Sequence, residues 1–336
     1  LSIVLIIITL PVFILSSVLA QSVTNENISS QIYFEDFEAL TDHRFLITQL
    51  SGEILAQIYN AKERRIEKDL IRSGRGPFEL EFIGGMAFNR ETKKLYAADL
   101  QNGKIICFDH LGNPVKEKNL KITYPQKVDA FGDELLVTTI AMIGKGMPNR
   151  SRYPIAYLID PNTLEVSDTL FFDLNDLNLD RIKDLEKSTT FRLTPLVVSS
   201  FKKGLYLVVF ESFNKVFLIN KNSKLVDEIK VNVNNVEIPE VVKHPSFGYG
   251  QRTFSVLNDY ARSEESVYFS FGQTSEQTYN GLIKVMISDI NTLSVQKHLL
   301  KTELELTDPF NSFKVTSDDS TIYGADGIDI IPLSFD

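Results

Sequence analysis

Three segments of this chain repeat one order of events. Residues 94–99 (Lys-Leu-Tyr-Ala-Ala-Asp) are followed by 103–109 (Gly-Lys-Ile-Ile-Cys-Phe-Asp), residues 204–210 by 215–220, and residues 266–271 by 282–288. In each, a strand-like run containing a tyrosine (Tyr96, Tyr206, Tyr268) leads through a turn to a second apolar run. A polar turn and an outer run, such as 225–231 or 294–300, come next. Periodicity on this scale constrains the fold more than any local propensity. The repeats start near residues 34, 84, 128, 195, 254 and 312, giving six units of about fifty residues. A four-stranded meander cannot bury both of its faces alone, and arranging such units radially buries them against one another. The expected fold is therefore all-β, a six-bladed β-propeller with four-stranded antiparallel blades. The last unit is short, and residues 31–35 have no unit of their own, so these are expected to add its outermost strand and close the ring. Closure would remove two exposed sheet edges.

The rest of the chain agrees with an all-β domain. Runs rich in Val, Ile, Leu, Phe and Tyr lie at 44–50, 53–59, 134–140, 155–160 and 321–325, punctuated by Gly, Asn, Asp, Ser and Pro. With 43% apolar and 24% charged residues, the 336-residue chain has the composition of an ordinary globular core. Its formal charge of −9 argues against a nucleic-acid partner, which needs a basic face to displace counterions. The single cysteine, Cys107, lies in an apolar run, so no intrachain disulfide can form and the thiol is expected to be a small buried hydrophobe.

Residues 1–20 are almost wholly apolar, and Val18 and Ala20 stand where a signal peptidase takes small side chains. The expected organisation is a signal peptide at 1–20, with an uncleaved membrane anchor as its alternative, a linker at 21–30 and one propeller at 31–336. No Lys or Arg precedes the apolar run, which departs from the usual signal-peptide pattern. A disulfide-free exported chain suits a bacterial envelope, periplasmic or extracellular.

One stretch carries a family resemblance. Gly74-Arg-Gly-Pro-Phe-Glu-Leu80, Gly85-Met-Ala-Phe88, Leu95-Tyr-Ala-Ala-Asp99, Asn102, Lys104-Ile105 and Phe108-Asp109 with Gly112 resemble an NHL-type repeat. More broadly they are similar to the six-bladed, TolB-like propellers of exported bacterial proteins. The match covers about 45 residues, and a glycine of the family pattern is replaced by Phe78. The resemblance implies a binding role and specifies no partner. Absence of Trp counts against propeller types whose signatures use it.

Function would sit on long connections presented by a rigid frame. The longest non-strand segments are 73–84, 173–191 and 234–252 between units, and 141–154 and 273–280 between second and third strands. In a propeller these two classes of connection emerge on the same face. They gather Arg72, Arg75, Arg150, Arg152, Arg181, Arg192 and Arg252 in an acidic protein. Two readings stand: a cationic rim for an anionic glycan or carboxylate, or ordinary surface pairs with Glu79, Glu81, Asp173, Asp176 and Asp180. The candidate ligand-binding residues are Arg75, Arg150, Arg152, Arg252 and His244, the last being the one histidine on that face.

Catalytic and metal signals are weak. Asp176, Asn178 and Asp180 have calcium-loop spacing, but Arg181 stands where the sharp turn needs Gly and Lys187 where the bidentate Glu belongs. Four scattered histidines hardly make a zinc or His-based centre. No nucleophile elbow, phosphate loop or dinucleotide fingerprint occurs. Asp99 and Asp109 read as turn caps, and the matched tyrosines as packing between units. No cofactor or metal is expected. The function expected is non-catalytic binding of a protein or glycan by the long-loop face. Its alternative is a lyase or hydrolase using carboxylates and arginines in the central funnel.

Overall fold

The computed structural model describes residues 36–41, 43–49, 52–63, 65–122, 125–144, 152–177, 190–199, 202–210, 215–231, 240–244, 248–252, 257–263, 266–271, 281–299, 312–315, 322–325 and 330–333. Five four-stranded antiparallel meanders follow one another along the chain. The first blade is Asp36–Ala39, Arg44–Thr48, Ile54–Asn60 and Arg65–Arg72. The second is Ile83–Asn89, Lys94–Asp99, Lys104–Phe108 and Pro114–Asn119, and the third is Pro125–Phe131, Glu134–Thr139, Arg152–Ile159 and Val166–Asp173. The fourth is Pro195–Ser199, Leu205–Phe210, Lys215–Asn220 and Leu225–Lys230, and the fifth is Leu257–Arg262, Val267–Phe271, Gly281–Ile287 and Leu293–Leu299.

The first strand of each blade packs against the first strand of the next, so these strands face a common axis. Among the fourth strands, Pro114–Asn119 and Leu225–Lys230 are mostly exposed. This is a β-propeller. A three-stranded sheet, Ser312–Val315, Ile322–Ala325 and Ile330–Leu333, lies between the inner strands of the fifth and first blades. The expectation of six four-stranded blades is therefore corrected to five. The last unit begins where its repeat predicts, at Ser312, yet pairs only three strands among the described residues. The segment assigned to close the ring, 31–35, lies outside the described residues, as do the apolar residues 1–20 and the linker 21–30. Among the described residues no helix is long and apolar enough to cross a membrane.

The core lies between neighbouring sheets. Leu136, Ile155 and Phe172 of the third blade meet Val197, Val208, Phe210 and Phe217 of the fourth. The other face of the fourth blade, through Leu196, Leu207, Val209 and Leu218, meets Val267, Phe269 and Val285 of the fifth. Strand alternation sends successive side chains into two different interfaces, which is why the inner strands read as continuous apolar runs. Phe172, Phe210 and Phe217 form an edge-to-face trio with centroids 4.9, 5.0 and 6.1 Å apart, a favoured aromatic geometry. Tyr96 and Tyr206 are buried in such interfaces, as their repeat positions suggest. Cys107 is buried in the interface of the second and third blades, and burial pushes its thiol pKa up, away from the reactive thiolate.

Backbones approach most closely between the second and third blades. A Cβ on Gly85 would stand 2.7 Å from Lys127 Cα and Val128 N, and one on Gly84 would stand 2.5 Å from the Pro125 carbonyl oxygen. The glycine pair lets one inner strand lie directly on the next.

Candidate functional site

The two ends of the propeller are built differently. On one end lie the connections from third to fourth strand, and they follow a single plan. Asp109, Asp160 and Asn220 each accept backbone N–H bonds through Oδ1 from residues two to four positions on, at 2.8–3.2 Å. Ser288 repeats the motif through Oγ with Thr292 N–H, at 3.1 Å. Each turn then takes one left-handed residue: Gly112 (φ 73°), Leu164 (58°), Ser223 (60°) and Asn291 (61°). These side chains imitate a turn by bonding their own backbone. For Asp160 those backbone N–H bonds hold the carboxyl below the usual carboxylate range. His110 is exposed in the first of these turns, as its sequence position suggests.

The opposite end carries the long connections. The NHL-like stretch lies here between the first two blades. Lys104 Nζ donates to the carbonyls of Gly76 and Glu79, both at 2.9 Å, and Phe78 N–H donates to Glu117 at 2.6 Å. Phe78, which replaces the family glycine, adopts the left-handed conformation that glycine takes easily, φ 56°. Asp99 caps the adjoining turn through Gln101, Asn102 and Glu81 N–H groups at 2.7–2.9 Å. Two further elements add to this end. Ala141–Gly144 pairs antiparallel with Thr190–Leu193, joining two segments that the sequence shows only as separate loops. Glu240–His244 pairs with Gly248–Arg252 as a hairpin. Within 173–191, Leu174–Leu177 is a short 3₁₀ turn and the strand beginning at Thr190 pairs with Ala141–Gly144.

The five candidate residues are not gathered into one described site. Arg75 is 80% exposed and pairs with Glu81, a geometry of small energetic weight on an open surface. The exposed Arg152 holds its guanidinium 5.4 Å from the Phe171 ring centroid. His244 and Arg252 share the hairpin, in register with Gly248 and Glu240 respectively. Arg150 lies outside the described residues. Asp176, beside Arg152, has its pKa raised by burial and by its neighbours Asp173 and Glu228, with Arg152 opposing. Among the described residues no group of three or more His, Cys, Asp or Glu is placed to hold a metal ion.

Sequence reasoning missed the charged centre of the molecule. Asp129, on the inner strand of the third blade, is 4% exposed, and its Oδ2 accepts from Ser199 N–H at 2.8 Å and Arg262 Nη2 at 2.9 Å. Arg262 Nη2 also donates to the Ser199 carbonyl at 2.6 Å, and the Tyr260 hydroxyl lies 3.2 Å from Asp129 Oδ1. One carboxylate thus binds the inner strands of three blades together. The Arg262 guanidinium stacks 4.5 Å from the Phe131 ring centroid, a favourable cation–π distance. Beside this latch lies an axial cavity of about 350 Å³, bounded by residues of four inner strands and by Lys314 of the three-stranded sheet. Glu38 and Lys314, on neighbouring strands that both line it, pair at 3.7 Å. The lining runs along the later half of those strands and reaches Glu91, Gly132 and Ser263, placing the cavity toward the tight-turn end. The signal available in the sequence was a charged residue between apolar ones on an inner strand, Asp129 flanked by Val128 and Ala130.

No protein-family model matches the chain, and no curated protein matches it. Among solved structures it is similar to the β-propeller domain of Cps50 (Swd1) from Myceliophteria thermophila, at 11% identity and TM-score 0.48 over 91% of this chain and 98% of that one. It is also similar to the WD40 repeats of RRP9, at 9% identity and TM-score 0.48 over 91% and 96%. Kuenenia stuttgartiensis hydrazine synthase gives 10% identity and TM-score 0.49 over 93% and 99%. The propeller assignment rests on the sheets and inner-strand contacts described above.

Proposed function

We propose that this chain is an exported, non-catalytic binding propeller whose long-connection end engages a protein partner. The observation that carries this reading is the asymmetry between the two ends. One end is built from short side-chain-capped turns, whereas the other carries an added strand pair and a hairpin on a rigid frame. Elaboration found, among the described residues, at one end is what partner binding needs, because connections can vary there without disturbing the core. The charged centre favours binding over the enzymatic alternative. Asp129 Oδ2 accepts from Ser199 N–H and from Arg262 Nη2, so this carboxylate is occupied in tying inner strands together. The TolB-like or NHL-type affiliation and the envelope location are part of this proposal, supported by the stretch 74–112 and by the apolar residues 1–20.

Site-directed photocrosslinking tests it. Photoreactive residues at positions 75 and 152 on the long-connection end are expected to capture a protein partner in cells, and one at position 110 on the turn end is not. Equal capture from both ends would overturn the reading. A thermal-unfolding screen against acidic and neutral glycans separates the glycan variant, since a ligand bound only to the folded state raises the midpoint.

A further inference from the structure

We infer that the edge of Ala141–Gly144, in the strand pair at the long-connection end, takes an extended segment of a protein partner as a third strand, apolar at alternate positions and acidic between them. The inference rests on the reading of that end as the partner-binding one and adds what the partner presents there. Three observations converge on it.

The first is unmet pairing. Ala141–Gly144 continues the second strand of the third blade after one intervening residue, and Thr190–Leu193 leads into the inner strand of the fourth. Beyond their blades the two pair with each other, and among the described residues neither pairs on its other side. A two-stranded sheet is marginal by itself, and a third strand stabilises it. Its edge offers a row of backbone donors and acceptors that an extended chain matches.

The second is the contrast with the other outer edges. Open edges are ordinarily blunted by charge, proline or a bulge. The outer strands of the five blades all carry charged residues, among them Lys68, Lys116, Asp168, Asp227 and Lys297. Four of the five are also offset by register shifts. The last strand of the three-stranded sheet holds Pro332. The hairpin carries Glu240 and Lys243 on one strand and Arg252 on the other. Beside these edges Ala141–Gly144 stands apart, with no charge, no proline and no register shift against its neighbour.

The third is the pattern across the pair. Register sets Ala141 opposite Leu193 and Ile143 opposite Phe191, so these four share one face, and Met142, Gly144, Thr190 and Arg192 share the other. An added strand continues the same two rows, because cross-strand neighbours share a face. Apolar residues extend the first row. In the second, an acidic residue complements Arg192, the one charge of the pair, across two strand spacings of about 10 Å in all, a span that two long side chains cover between them. Pairing with the same edge of a second copy would instead bring two arginines to one face.

The test uses the full chain and a capped five-residue peptide alternating valine and glutamate, labelled for fluorescence polarisation. Its binding is expected to saturate, and a peptide alternating valine and lysine is expected to bind several-fold more weakly. Two N-methylated versions report the mode. Only alternate N–H groups of an added strand point at the edge. Methylating one alternate set is therefore expected to weaken binding about tenfold or more, and methylating the other to leave it unchanged. Met142→Lys puts a charge on the edge strand and is expected to weaken binding by a similar factor without moving the unfolding midpoint. Should that variant be destabilised, hydrogen exchange of the unaltered chain decides. The peptide is expected to slow exchange in 141–144 and not in the outer strand Leu225–Lys230. No saturable binding, equal loss from both methylated sets, or exchange slowed only outside 141–144 would each overturn the inference. Dimerisation that Met142→Lys abolishes would overturn it too, by assigning the edge to a second copy. Capture of a protein at positions 75 and 152 with none of these peptide effects would overturn the inference and leave the reading of that end standing.

Discussion

The two ends of this propeller solve the same problem, joining adjacent strands, in opposite ways. At the turn end, four connections repeat a side-chain cap followed by a left-handed residue, although the residue changes from Gly112 to Leu164, Ser223 and Asn291. At the other end no two described connections look alike: one is the lysine-braced stretch 74–82, one contributes to a strand pair, one is a hairpin. The turn end also lies nearer the axial latch and cavity. The difference teaches that stability and adaptability have been placed at opposite ends of one frame. Substitutions near the latch and inner strands should cost folding energy, and substitutions among the long connections should cost little.

The largest effect is expected at Asp129. Asp129→Ala leaves Arg262 buried without its counter-charge and releases Ser199 N–H, and removal of one partner from a buried pair costs about 3–5 kcal/mol. The pair is closely buried, with Arg262 14% and Asp129 4% exposed, so solvent screening gives little relief. Urea unfolding of the variant beside the parent chain measures this directly. A loss below about 1 kcal/mol would show the latch behaving as a surface pair and would dissolve the contrast between the two ends.

Next comes the close approach of the second and third blades. Gly85→Ala places a methyl group 2.7 Å from the backbone of Lys127 and Val128, neither of which can rotate away. Overpacking of this kind costs about 1–3 kcal/mol. Gly52, at φ 129°, is the matched control at the long-connection end, because its nearest contacts are at 3.7 Å and 3.8 Å. Gly52→Ala should carry only the conformational penalty, about 1 kcal/mol, so the ordering of the two midpoints sharpens the comparison.

How legible this was from the sequence follows the same division. The repeat period placed unit starts near 84, 128, 195, 254 and 312, and the inner strands begin at Ile83, Pro125, Pro195, Leu257 and Ser312. Turn caps such as Asp99 and Asp109 were readable because their partners lie two to four residues away. Blade number was not readable, since it depends on whether a fourth strand pairs at the end of the chain, which is a matter of topology. The pairing of Ala141–Gly144 with Thr190–Leu193 joins segments about fifty residues apart, and no local signal announces it. The latch was hidden for the same reason: Asp129 and Arg262 are 133 positions apart. Arginines were sought in loops, whereas the one that organises the centre ends a strand.

A smaller effect is expected at Lys93, which is exposed and left-handed at φ 55° in the turn joining the first two strands of the second blade. Lys93→Gly removes a left-handed penalty of about 1–2 kcal/mol and adds the chain-entropy cost of glycine, about 0.5–1 kcal/mol. A net gain below about 1 kcal/mol should appear as a slightly higher unfolding midpoint. A loss would mean that the Lys93 side chain contributes more to the turn end than its exposure suggests.

The smallest effect is expected at the other end, at Asp176, and its sign depends on pH. Burial raises the Asp176 pKa, and repulsion from Asp173 and Glu228 adds to the rise, with Arg152 partly opposing. A carboxyl group whose folded pKa lies above its unfolded value resists ionisation in the folded state. Its ionised form therefore destabilises the fold at neutral pH. That penalty shrinks as pH falls through the folded pKa and is gone below the unfolded value. Asp176→Asn should then raise the midpoint at pH 7 and leave it unchanged at about pH 3, below the ordinary Asp value. Asp160→Asn at the turn end should behave in reverse. Its depressed pKa stabilises the fold above the unfolded value, and that contribution fades as pH falls through the folded one. Opposite signs at pH 7, converging in acid, would confirm that carboxylates at the turn end are held in place by their backbone partners, while the one beside Arg152 is held at a cost. A tolerated cost of that kind fits a region kept for a partner, since a positively charged group docking near Asp176 would remove it. If Asp176→Asn lowered the midpoint at pH 7 instead, Arg152 would be bound more tightly to Asp176 than repulsion allows, and its place among the ligand-binding residues would be lost.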